Sequence, residues 1–252
     1  MELYIWRKRT PITLYLADHT WATSYDLRIK KYNNINEVIN AKEHYWYSKG
    51  DFHSDGDFIG KINYHSSYAN CLVNSNDKIN GNGSIRYGID GVCHQISNQV
   101  IYRSKHSFNN LRVDKARGYK LSSSIYGTYG KNHNQWKDNR EHCFRKSFKT
   151  SNISLITTRA RYFTKNTIDM NLMKYLESER LKLLMQLKEE GSAKKKVNEN
   201  ANQRVEKMNQ FINNFTTDIS NLLEKDLYQY IFGIDKGTRI NLIDAEQFEF
   251  IK

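Results

Sequence analysis

The longest regular alternation of apolar and polar positions lies in the second half of the chain. Through "TIDMNLMKYLESERLKLLMQLKEE", Ile168, Leu172, Leu176, Leu183 and Leu187 trace one stripe at helical spacing. Beyond "EGSAKKK", Val197, Ala201, Val205, Met208, Ile212, Phe215, Ile219 and Leu222 recur by four and three residues, a heptad-like seam. The Gly191-Ser192 break between them predicts an antiparallel helix hairpin. Leu and Met stripes of this kind read as a packed helix pair before a cofactor box. The closing "TRINLIDAEQFEF" is expected to be a strand or a docked tail.

Patterning in the first half is shorter in period. "ITLYLADHTWATSYDL" is rich in strand formers (Thr13, Tyr15, Trp21, Thr23, Tyr25), with Asp18 at a bend, and predicts a strand pair with His19 near its middle. In "NINEVINAKEHYWYS", Asn34 can cap a short helix that ends in an aromatic run. "KGDFHSDGDFIG" reads as a turn-rich loop. "SYANCLVNSNDKINGNGSIRYGID" passes from a short helix carrying Cys71 into polar loop. "RYGIDGVCHQISNQVIYRS" then starts a helix, with Asp90 as N-cap and Val92, Ile96, Val100 and Ile101 on one apolar face.

Composition adds limits. At 252 residues the chain is long enough to bury a core, and 17 Tyr, 11 Phe and 4 Trp supply buried surface that a 38% apolar share would otherwise lack. One proline and 13 glycines argue against a disordered chain. No apolar run approaches the roughly 18 residues a membrane span needs, and the N-terminus reads as carrying no signal peptide. Three cysteines, an odd number, argue against a disulfide framework. A cytoplasmic location is the default, with export by a specialised secretion system leaving no visible mark.

The net charge of +12 is uneven: residues 166–252 carry 13 basic and 14 acidic side chains, the rest of the chain 26 and 13. Residues 101–165 alone hold 15 basic side chains and only Asp114, Asp138 and Glu141 on the acidic side. Such a field suits nucleic acid, an anionic lipid or an acidic polymer, and its sign does not choose among them. All histidines and cysteines precede residue 144, so the chemistry is expected there.

With Asp90 as N-cap, Cys93 takes the third helical position, where amides are unpaired and the dipole is positive. The acidity of Cys93 is therefore expected to rise. A cysteine hydrolase also needs a base, an orienting group and oxyanion donors, one of which the Cys93 amide can be. Neighbouring His94 is rotated about 100° from Cys93 on a helix and does not face it. His19, on a strand, is the expected base. The orienting group is to be found among His53, Asp51, Asn63 and His65, with His53 the choice. Cys71 and Cys143 read as ordinary packed or partly exposed thiols. No C-x-x-C or H-x-x-x-H spacing marks a metal, and "GNGS" and "YGTYGKN" lack the context of a phosphate-binding loop, so neither cofactor nor metal is expected.

The order of "ADHTW" followed by "GIDGVCHQISNQVIY" resembles the circularly permuted branch of the papain-like NlpC/P60 superfamily, in which the histidine strand precedes the cysteine helix. The resemblance covers about residues 10 to 130. It implies an α+β fold, an antiparallel sheet packed on a cysteine-bearing helix. It also implies Cys93 as nucleophile, His19 as base, and hydrolysis of an amide or related acyl bond in a peptide, a peptidoglycan stem or a side-chain amide, with acyl transfer among the relatives. No motif matches the third residue. The expected organisation is a catalytic domain over residues 1–165 and a helical hairpin over 166–252, which the permuted members do not account for. That hairpin is a lid, a partner-binding arm or a self-association surface. The alternative function is a basic nucleic-acid or anionic-surface binding module without catalysis, through residues 101–165 and aromatics such as Tyr119, Tyr126, Tyr129, Trp136 and Phe148.

Overall fold

Glu2–Arg9 forms strand β1, an element the pattern does not announce. Leu3 and Ile5 enter one core and Trp6 another, so both faces of the strand are covered and no polar face marks the period. The structure, a computed structural model, describes residues 2–10, 16–47, 52–63, 85–103, 113–130, 155–164, 169–193 and 200–248. Cys71, Cys143, Asp51, His65, His106, His133, His142, Trp136, Phe148 and most of the basic segment lie outside these residues.

Strand β2 is Asp18–Thr23, buried at all six positions, and pairs antiparallel with β1 so that His19 lies opposite Lys8. Asp18 opens the strand instead of bending it. After helix α1 (Ile35–Asn40), capped by the Asn34 side chain as expected, comes β3 (Tyr45–Trp46) and then β4 (Asp57–Asn63). β4 corrects the reading of "GDFIG" as loop: Ile59 and Ile62 are its buried positions, and pairing with β1 overrides the local turn chemistry. The fold is α+β, with an antiparallel four-stranded sheet in the order β3-β2-β1-β4.

Helix α2 (Cys93–Arg103) packs against β2. Its apolar side divides between two cores. Val100 and Ile101 join Leu3, Ile5 and Ala22 under the sheet, while Val92 and Ile96 join the helical core. The opposite sheet face packs Trp6, Trp21, Tyr25, Tyr45 and, from α1, Val38. The remaining helices are α3 (Tyr119–Tyr126), α4 (Leu155–Phe163), α5 (Met170–Ser192), α6 (Ala201–Leu222) and α7 (Lys225–Phe232). α5 and α6 are the hairpin helices, and α6 begins at Asn200 with a capping box. Their buried stripes, Leu176, Leu183, Leu187, Met208, Ile212 and Ile219, pack into the same core as Ile89, Val92, Ile96 and Leu121. Residues on both sides of position 165 therefore share one hydrophobic interior.

Gly191 shows how close that packing is. A methyl group there would interpenetrate the Ile89 side chain. Overpacking costs about 1–3 kcal/mol, against a helix-propensity gain for alanine over glycine of about 1 kcal/mol. Gly191→Ala is therefore expected to lower the unfolding free energy by about 1 kcal/mol in urea titration, and a more stable variant would show that Ile89 moves aside freely.

Past α7 the described residues, 233–248, form no strand but dock along α6. Asn209 and Asn213, one helical turn apart, each present an amide to the tail. Asn209 donates to the Ile243 carbonyl at 2.8 Å and accepts from its N–H at 2.9 Å; Asn213 does the same for Ile240 at 3.0 and 2.9 Å. The side chains thus give the tail the hydrogen bonds a neighbouring strand would give. This places Leu242, Asp244 and Gln247 beside β2.

Candidate active site around Cys93

The site grows from an open sheet edge. β3 covers β2 only at Ala22 and Thr23, so among the described residues the backbone of Asp18 and Thr20 on that side has no strand partner. Other groups close it. The Asp18 N–H donates to the Arg117 carbonyl at 3.1 Å, and its side chain accepts from the Arg117 N–H at 2.9 Å. The Asp18 carbonyl accepts from His94 Nε2 at 3.0 Å and from the Cys93 thiol at 3.7 Å. The Thr20 N–H and hydroxyl both face the Cys93 sulfur. The Ser97 hydroxyl donates to Thr20 Oγ1 at 2.9 Å, which frees the threonine proton for that contact.

Asp90 does not cap α2. Its carboxylate pairs with Arg86 at 2.6 Å, the helix begins at Cys93 itself, and the Gln95 side chain accepts from the Val92 N–H at 3.0 Å. Cys93 is thus the first helical residue rather than the third, and its amide, like every amide of a first turn, has no carbonyl four residues back.

The expected acidic thiol is also corrected. Burial pushes the Cys93 thiol up to about 12. The Thr20 donors and the His94 amide pull the other way, and Asp244 adds a smaller upward push. Desolvation outweighs the helix start because the sulfur is 5% exposed as a residue and its donors are neutral dipoles.

His94 is buried. A carbonyl only accepts, so Nε2 carries the ring proton toward Asp18, and Nδ1 at 2.8 Å accepts from the Ser122 hydroxyl. Burial holds its pKa down to about 4, and both nitrogens are occupied. It closes the edge and is not a base.

His19 points to the other face of β2, where it stacks on Trp21 with ring centroids 5.7 Å apart. Strand alternation requires this, since Thr20 faces α2. At the open edge the two faces meet, and His19, Cys93, Asp18, Leu242, Asp244 and Gln247 line one crevice with room for about one water. Among the described residues no hydrogen bond joins His19 to Cys93. Burial, then the neighbouring His53 and His94, lowers the His19 pKa to about 3, so the resting pair is a neutral thiol and a neutral imidazole.

His53 lies against the His19 ring, centroids 5.2 Å apart and tilted by 56°, and packs on Trp21. The group that meets His19 Nδ1 is instead Gln247, whose Nε2 donates to it at 2.9 Å. Gln247 is 228 residues away and reaches the ring only through the docked tail. No local motif marks it. Asn63 ends β4, which β1 separates from β2.

Among the described residues, no group of three or more His, Cys, Asp or Glu side chains is placed to hold a metal ion, and no helix is long and apolar enough to cross a membrane. A scan against protein-family models and searches of the curated proteins and of the solved structures find no match to this chain.

Proposed function

We propose that this chain is a cysteine-dependent hydrolase acting on an amide or related acyl bond, with a papain-like packing of the Cys93 helix on the sheet. The carrying observation is the convergence of Cys93, His19 and Gln247 on one crevice at the open edge of β2. Catalytic pairs without bound substrate are often loosely aligned and tighten on binding. At rest the Gln247 amide donates to Nδ1, leaving the ring proton on Nε2. Turning that amide over puts Oε1 on Nδ1, moves the proton there and leaves Nε2 as the base. The Cys93 proton then passes to Nε2, the sulfur bonds to the acyl carbon, and the imidazolium returns the proton to the leaving amine. Water releases the acyl group from sulfur in the second half. The Cys93 amide, the Thr20 N–H and the His94 N–H are the neutral donors near the developing oxyanion. Peptides and peptidoglycan stems are the substrate class to screen.

The competing role is visible in the same geometry: Cys93 simply closes the sheet edge. Iodoacetamide alkylation of Cys93, followed by mass spectrometry from pH 6 to 9, separates the two. A base at His19 makes the rate at pH 7 fall at least about tenfold in His19→Ala, with an unchanged circular dichroism spectrum. An edge-closing thiol alkylates at a rate set by opening, so an equal or faster rate in His19→Ala would remove the proposed pair. With a substrate in hand, Cys93→Ala and His19→Ala each lose turnover.

A further inference from the structure

Of the aromatic residues expected to stack on nucleic acid, Tyr119, Tyr126 and Tyr129 are buried and offer no face. The exposed rings stand elsewhere. α4 buries Ile156 and Ala160, one turn apart, which turns Arg161 and Tyr162 outward. Tyr162 is 77% exposed and Phe163 43%, and both meet the half-buried Tyr230 of α7. The Tyr162 and Tyr230 rings are parallel within 7°, with centroids 6.2 Å apart, and Phe163 leans on Tyr230 at 5.3 Å. Lys120, exposed on α3, places its ammonium 5.4 Å from the Tyr230 centroid. The platform is three rings with a cation against them.

Its position is fixed from below. The Arg159 guanidinium donates to the Lys120 carbonyl at 2.7 Å, to Ser124 Oγ at 2.8 Å and to the Ile231 carbonyl at 2.6 Å, tying α4 to α3 and α7. All three acceptors are neutral. Among the described residues no ion pair neutralises Lys120, Arg159 or Arg161, and Asp226 of α7 lies one turn before Tyr230.

We propose that this platform binds a single-stranded nucleic acid. Unpaired bases stack on the exposed Tyr162 and Phe163 rings while phosphates meet Lys120 and Arg161. Rings alone would suit a protein partner, and cations alone any polyanion. Their juxtaposition fits a chain that carries a flat base and a phosphate at every step. The site does not depend on the hydrolase assignment.

The test is fluorescence anisotropy of labelled oligothymidylate and oligouridylate of about twelve nucleotides with the full chain, beside a DNA duplex of equal length, over a range of salt. The single strands are expected to bind saturably and more tightly than the duplex, whose base faces are already stacked, and their ratio tells DNA from RNA. Tyr162→Ala weakens single-strand binding roughly five- to a hundredfold, whereas Tyr162→Phe, which keeps the ring, does not. Lys120→Gln makes the slope of log affinity against log salt shallower by about 0.7. Tyr162 and Lys120 are exposed, so these variants keep the parent unfolding midpoint. No saturable binding, equal affinity for the duplex, or unchanged affinity in Tyr162→Ala each overturn the proposal. Self-association in sedimentation that Tyr162→Ala abolishes, with no oligonucleotide bound, assigns the rings to a second copy of the chain instead.

Discussion

Asn209→Leu is expected to lower the unfolding free energy by about 2–5 kcal/mol and to speed alkylation of Cys93. Asn209 is 4% exposed and satisfies both backbone groups of Ile243, which is itself fully buried. A leucine fills similar space but leaves an N–H and a carbonyl without partners, each costing about 1–3 kcal/mol. Asn213→Ala removes a similar pair of bonds, but Asn213 is half-buried, so water replaces part of the loss and the cost is expected near 1 kcal/mol. Asn209→Asp isolates the chemistry: it keeps the acceptor for the Ile243 N–H and sets a carboxylate oxygen against the Ile243 carbonyl. It is expected to fall close to the leucine variant. Urea titration gives the energies and mass spectrometry the labelling rate. A loss below about 0.5 kcal/mol, the usual range for surface changes, means that these bonds do not hold the tail. Unchanged labelling in a destabilised variant means that the tail does not cover the sulfur.

The tail also shows where sequence reading stops. Helices α5 and α6 were legible because one side of each is buried and the other wet, so the 3.6-residue period stands out at Leu176, Leu183 and Leu187 and at Met208, Ile212 and Ile219. Asn34 was legible because capping is a local bond, and Cys93 was placed within two positions of its helical site. β1 was not legible, because Leu3, Trp6 and Ile5 face cores on both sides. The raised pKa of the Cys93 thiol is not legible, because helix position is written in the sequence and burial is not. Gln247 was out of reach for the same reason. Its contact with His19 depends on two asparagine amides, an irregular tail and an open strand edge, none of which has a local signature.

The buried histidines make the fold sensitive to acid. His19 and His94 have folded pKa values of about 3 and about 4, against 6.5 for a free imidazole. Below pH 6.5 the unfolded chain takes up two protons that the folded chain refuses, so unfolding is favoured as pH falls. Each histidine contributes a slope of about 1.4 kcal/mol per pH unit. The stabilisation present at neutral pH is lost from about 6.5 downward, toward 4 for His94 and toward 3 for His19. Between pH 7 and pH 5 the pair should lower stability by about 4 kcal/mol, a large part of the 5–15 kcal/mol typical of a domain. Carboxylates with lowered pKa, such as Asp26 beside Arg28, add their loss only below about pH 4. The alkaline side has the opposite sign: the Cys93 thiol is raised to about 12, so above pH 9 the unfolded thiol ionises first and stability falls again. Urea midpoints from pH 7 to 5 test the acid arm, and His94→Gln should halve its slope. A halved slope in the parent would mean that one of the two imidazoles accepts a proton inside the fold, and a flat profile that both do. An imidazolium at His19, flanked by His53 and 2.9 Å from an amide that donates to it, would require the Gln247 amide to turn over first. The stability profile therefore reads the same rearrangement on which the proposed chemistry depends.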